Sequence, residues 1–135
     1  MNELLLNVLA QVAEQMGFLT PVGPGEGEVP EAMCIAVGFH GPSAGQVRVV
    51  ASRPLAEALA RNLLAIEPAD PVADADALDA LKELANIVAG NCLPQLLRDG
   101  EYHLDAPQAT NWIVGGETAR LSCAEGELAI AVQVG

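Results

Sequence analysis

The sequence predicts an α+β architecture: about five strands in a largely antiparallel or mixed sheet, with helices packed on one face. Three observations predict it. Apolar residues recur at helical spacing in three separate stretches, each closed by Gly or Pro. Short apolar, β-branched runs stand next to one another with turn residues between them, two before the second helix and three at the C-terminal end. No strand–helix–strand repeat and no heptad array is visible, so the economical arrangement covers one sheet face with the helices. A chain of 135 residues fits one domain, 1–135, and is long enough to bury a real core.

The elements follow in order. Asn2 to Met16 places Leu5, Val8, Leu9, Val12 and Met16 on one side of a helix, and Gly17 stops it. Phe18 to Pro30 is a Gly/Pro/Glu run; with no Lys or Ser/Thr after its glycines, and with Glu26, Glu28 and Glu31 around them, it reads as an irregular acidic connector rather than a phosphate cradle. Ala32–Phe39 and Gln46–Ala51 form a hairpin across HGPSAG. Ser52, Arg53 and Pro54 open a second helix with apolar Leu55, Leu59, Leu63 and Ile66, and Pro68 and Pro71 end it. A long helix runs from Asp76 to Leu97, with Asp74 or Asp76 placed to cap it and Pro94 predicting a kink or an early stop. Ala109–Val114, Glu117–Cys123 and Leu128–Val134, separated by Gly115-Gly116 and by AEGE, read as a three-stranded antiparallel meander. Residues 98–108 match no clear element.

Composition narrows the function. Half of the residues are apolar but only four are Trp, Tyr or Phe, so the core rests on Leu, Val, Ile and Ala. Eighteen acidic against six basic residues give a net charge of −12, which disfavours nucleic acid and anionic membrane surfaces and suits a partner with positive charge around its own site. No apolar run is long enough to span a membrane, and the first seventeen residues lack the basic start of a signal peptide. Cys34, Cys92 and Cys123 are odd in number, without a CxxC, and read as reduced core residues of a cytoplasmic protein. Neither His40 nor His103 stands at ligand spacing to a cysteine, so no metal site is predicted.

The informative stretch is the long helix. Ala77, Leu81, Leu84, Ala85, Val88 and Cys92 fall on one face, and Asp79, Glu83, Asn86 and Gly90 on the opposite one, at offsets of 4, 7 and 11 from the first. A solvating face favours exchangeable Lys, Arg and Glu; a mid-helix Asn competes for backbone hydrogen bonds and needs a reason. Bland reasons exist. Taken singly, Glu83 could be a solvated helix carboxylate, pairing near Lys82 or with Arg98, and Asn86 could bond to a loop. Asp79 could serve the helix dipole, and Gly90 could relieve crowding against Pro94.

Asp79-x-x-x-Glu83-x-x-Asn86 resembles the signature of the CheC/CheX/FliY family of chemotaxis phosphatases: Asp or Ser, three residues, Glu, two residues, Asn. The context is similar too: an N-terminal helix, a hairpin ending in GQVRVVAS, a helix opened by Pro54, then ELANIVAGN. One motif copy is present, as in the single-site CheX type rather than the two-motif CheC and FliY chains.

The resemblance implies a CheX-like α/β sandwich and a substrate, the phosphorylated aspartate of a CheY-like response-regulator receiver domain. It implies that Asn86 orients the attacking water, that Glu83 pairs with the receiver's active-site lysine, and that Asp79 supports or rims the contact, with Gly90 on the same docking face. It also implies no cofactor of the chain's own, the Mg2+ belonging to the receiver, and a homodimer formed through a sheet edge. Two other readings stay open: a non-catalytic module that docks through the same helix, and a structural protein in which the motif is residual.

Overall fold

In a computed structural model of the chain, residues 2–98, 100–112 and 116–135 are described. The first helix, α1 (Glu3–Gln15), begins at Asn2, whose side-chain oxygen accepts the Leu5 N–H at 3.1 Å, and it buries Leu5, Val8, Leu9 and Val12. There follow β1 (Pro21–Pro24), β2 (Met33–His40), β3 (Ala44–Ala51), α2 (Arg53–Leu64) and α3 (Asp74–Leu96). The chain closes with β4 (His103–Leu104), β5 (Gln108–Thr110), β6 (Glu117–Cys123) and β7 (Gly126–Val134).

The seven strands form one sheet in the order β1-β6-β7-β3-β2-β4, with β5 also paired to β2, and every pairing is antiparallel. Alternation decides which side is which. Ile35, Val37 and Phe39 of β2, Val47, Val49 and Ala51 of β3, Leu121 of β6, and Leu128, Ile130 and Val132 of β7 all join the core beneath the helices. On the other face Cys34, Val50 and Ala129 form a small separate cluster with Val29 and Trp112. The helices therefore cover one face, as the sequence predicts.

Four expectations change. Among the described residues the count is seven strands rather than about five, because His103–Leu104 add β4 and part of the acidic connector is β1: Pro21–Pro24 pair with β6, where the Arg120 carbonyl accepts the next amide, that of Gly25, at 2.9 Å. The C-terminal strands are not a three-stranded meander. β6 and β7 are a hairpin, but β5 lies across the sheet on β2, because Cys34–Ala36 offer it a free ladder that β6 has already spent on β1 and β7. The predicted end of that strand at Ile113 and Val114, and the turn at Gly115, lie outside the described residues.

Neither Asp74 nor Asp76 caps α3. Ala73 holds the cap position and Asp74, already inside the first turn, is drawn into an ion pair with Arg53. Pro94 causes no early stop at its own position. The helix runs to Leu96, and the Leu97 N–H donates to the Leu93 carbonyl at 2.8 Å beyond it. A single missing donor near the end of the helix is a small loss against the burial of Cys92 and Leu93 on its inner face.

The sheet's outer strands are short, and β1 carries two prolines that cannot donate to a neighbouring ladder. None of the helices among the described residues is long and apolar enough to cross a membrane.

Candidate functional site

The helix that bears the motif is the most embedded of the three. α3 packs against α1 on one flank and α2 on the other, and lies over β2 and β3. Nine residues of its inner face are buried: Ala77, Ala80, Leu81, Leu84, Ala85, Val88, Ala89, Cys92 and Leu93. Small residues alternate with Leu and Val along this face, which lets a 23-residue helix lie close to its neighbours. Its backbone is thus fixed by packing along its length, and whatever projects from the outer side is held on a rigid support.

Asp79, Glu83, Asn86 and Gly90 are all exposed on that outer side. The structure brings the four predicted residues onto one stripe, spanning about 16 Å at 1.5 Å per residue. Among the described residues, Asp79, Glu83 and Asn86 have no hydrogen-bond or ion-pair partner within the chain. This removes an internal ion pair for Glu83 and a loop bond for Asn86, and leaves Glu83 a solvated helix carboxylate. Arg98 is engaged elsewhere, its Nε donating to the Gln95 carbonyl. The nearby Asn91 shows what an internally used amide looks like: its side-chain nitrogen donates to the Ile87 carbonyl at 2.8 Å. Asn86 makes no such bond.

Gly90 does not relieve crowding against Pro94 either. A Cβ placed there would meet only Leu104 Cδ1, at 4.0 Å. The space over Gly90 is open, and nothing inside the chain requires glycine at this point of an exposed helix. Next to it the stripe runs into a cavity of about 310 Å³, lined by Leu93 and Pro94 of α3 and by Tyr102 and Leu104. The sequence reading missed this feature, because Tyr102 and the two-residue strand β4 fall in the segment that matched no element.

Elsewhere the chemistry is quiet. A second cavity of about 430 Å³, bordered by Val29, Trp112, Thr118 and Arg120, includes no residue of α3. Among the described residues no three His, Cys, Asp or Glu side chains come together in a way that could hold a metal ion. The three thiols are free and buried; burial pushes Cys34 and Cys123 up to about 11 and Cys92 up to about 12, so none is poised as a nucleophile.

With this geometry in view, the comparisons are decisive for the family. The family model described as "Chemotaxis phosphatase CheX" matches residues 33–130, well over half of the chain. The chain belongs to the CheX family.

Solved structures agree in fold. The chemotaxis protein CheX from Vibrio vulnificus is 18% identical, with 98% of this chain and 95% of that chain covered and a TM-score of 0.75. CheX from Desulfovibrio desulfuricans is 17% identical, covering 98% and 97%, with a TM-score of 0.72. The CheX chain of a CheX–CheY–BeF3–Mg complex from Borrelia burgdorferi is 21% identical, covering 97% and 96%, with a TM-score of 0.70. At these identities the likeness shows the shared fold alone. No curated protein matches the sequence.

Proposed function

We propose that the chain is a phosphatase that accelerates hydrolysis of the aspartyl phosphate on a CheY-like response-regulator receiver domain. Asn86 and Glu83 act, and the outer face of α3 docks the substrate. One observation supports this most: in a CheX-family chain, an amide and a carboxylate stand three residues apart on a rigid helix, exposed and with no partner of their own. Side chains at this spacing project side by side, about 5–6 Å apart at Cβ.

The reaction sets modest demands. A water oxygen attacks the phosphorus in line, the bond to the aspartyl oxygen breaks, and the carboxylate and inorganic phosphate leave. The transition state is loose, so positioning matters more than proton abstraction. A carboxamide suits this. It can accept a hydrogen from the water and donate to a neighbouring oxygen at once, and it brings no charge to repel the phosphoryl group. Glu83, one turn earlier, would engage the receiver's active-site lysine, fixing the angle at which Asn86 enters. Asp79 would rim the contact. The Mg2+ that such a phosphoryl group carries is the receiver's own.

The test is the decay of a phosphorylated CheY-like receiver, with Mg2+, with and without this protein and its Asn86→Ala variant. The wild type should speed the decay, and the variant should lose that acceleration by roughly 10²-fold or more while still binding the receiver. Unchanged decay across the receivers of the same cell would refute the phosphatase. Binding without acceleration would leave a docking module.

A further inference from the structure

The polar stripe of α3 leads directly into a preformed apolar notch. Beyond Gly90 the helix presents Leu93 and Pro94, and Tyr102 and Leu104 face them across the cavity of about 310 Å³, with Glu101 at its rim. The far wall is pinned. The Tyr102 ring stands edge-on to Phe39, with centroids 5.5 Å apart at 79°, and its hydroxyl meets Ser43 Oγ at 3.0 Å. Leu104 is held by the pairing of β4 with β2 opposite Phe39. Gly90 lies at the mouth, in an exposed helix interior where glycine weakens the helix relative to alanine. The open space over it means that no internal contact calls for this weakness. A glycine kept clear of side-chain bulk beside an apolar cavity is what the close approach of another surface requires.

We propose that this notch receives an exposed apolar side chain of the receiver domain, and that Gly90 keeps the passage to it open. The assignment rests on the phosphatase reading above. Along the helix axis Gly90 lies about 6 Å from Asn86 and Pro94 about 12 Å. The occupant therefore belongs to a receiver loop bordering the phosphorylated aspartate, an aliphatic or aromatic residue that reaches the notch while Asn86 reaches the phosphoryl group. Binding energetics call for such an anchor. Exposed carboxylate–lysine pairs contribute little net affinity, whereas an apolar side chain seated in a pocket beside a polar contact is the usual source of it. The stripe and the notch would then divide the work: Glu83 and Asn86 align the chemistry, and the notch holds the partner.

The experiment measures calorimetric binding of a beryllofluoride- and Mg2+-loaded CheY-like receiver to the full chain. Gly90→Gln closes the passage with a helix-favouring side chain. It should melt at or above the wild-type temperature and bind roughly ten- to a hundredfold more weakly. Leu104→Ala, which removes part of the far wall, should weaken binding in the same direction and raise KM for the phosphorylated receiver more than it lowers kcat. Folded Gly90→Gln and Leu104→Ala proteins that bind within twofold of the wild type would overturn the notch. If Asn86→Ala still abolished the acceleration in that case, the phosphatase reading would stand without it. A wild-type chain that neither binds the receiver nor speeds its dephosphorylation would remove both.

Discussion

Asn86→Ala and Gly90→Ala are each expected to make the chain more stable, and the size of the gain can be worked from the structure. Both positions are exposed in the interior of α3, and Asn86 has no internal partner to lose. At Gly90 the new methyl would meet only Leu104 Cδ1 at 4.0 Å, an ordinary van der Waals distance. Helix propensity then sets the sign: alanine exceeds glycine by about 1 kcal/mol and asparagine by roughly 0.6 kcal/mol in a helix interior. The double variant should gain about 1.5 kcal/mol. At an unfolding entropy of about 2 cal/mol/K per residue, over a chain of 135 residues, this raises Tm by about 5 °C. Thermal and urea unfolding followed by circular dichroism would measure it. A fall in Tm for either single variant would refute the reasoning, since it would mean that the stripe makes contacts inside the protein. The expected pairing of higher stability with lost receiver dephosphorylation in Asn86→Ala is a local stability–activity trade-off.

Other expectations concern the core and its joints. At pH 8 a thiol reagent should leave Cys34, Cys92 and Cys123 unmodified in the native chain and titrate three thiols after denaturation, since all three are buried and held protonated. Their folded-state values lie above the ordinary 9.0, so the native state binds these protons more tightly than the unfolded one. This stability is fully present below pH 9 and is lost as pH rises through about 11 for Cys34 and Cys123 and about 12 for Cys92. Urea midpoints should be flat from pH 7 to 8.5 in this respect and fall above 9, less so in Cys92→Ala relative to its own neutral value. At the β6–β7 turn, Gly126 has φ +156, and a Cβ there would run into the Ser52 hydroxyl and within 3.0 Å of the Leu55 nitrogen. Gly126→Ala should cost about 2 kcal/mol or more and break the bond from the Glu127 N–H to Ser52 Oγ, read as a lower urea midpoint.

Local periodicity made the three helices legible, along with strands β2, β3, β6 and β7, because each has a long enough run of apolar residues with Gly, Pro, Ser or Asp at its ends. What escaped is what depends on distant partners. Pro21–Pro24 carry no strand signal of their own and become β1 only because β6 has a free edge. His103–Leu104 are two residues, too few for any pattern, and the place of β5 is decided by β2 some seventy residues earlier. The helix cap was misread because Arg53, from another element, claims Asp74. The candidate site divides in the same way. The alignment of Asp79, Glu83, Asn86 and Gly90 follows from 3.6 residues per turn. That Asn86 is unbonded while Asn91 is bonded, and that the space over Gly90 is open, depends on where the rest of the chain lies.

The position of α3 between α1 and α2, over β2 and β3, has a consequence for how the protein opens. Segments that breathe in native proteins are those with few buried contacts, at termini, loops and edges. α3 is the reverse: its inner face is buried from Ala77 to Leu93, so its backbone cannot be released without dissolving the core around it. The motif is therefore carried by a segment whose partial opening approaches global unfolding in cost. Fraying at the short outer strand β1 leaves it untouched, whereas fraying at β4 would open only the Leu104 wall beside Gly90. A population of such molecules would consist of chains that are folded with the stripe in register and chains that are unfolded, with few in which the scaffold persists and the stripe is out of place.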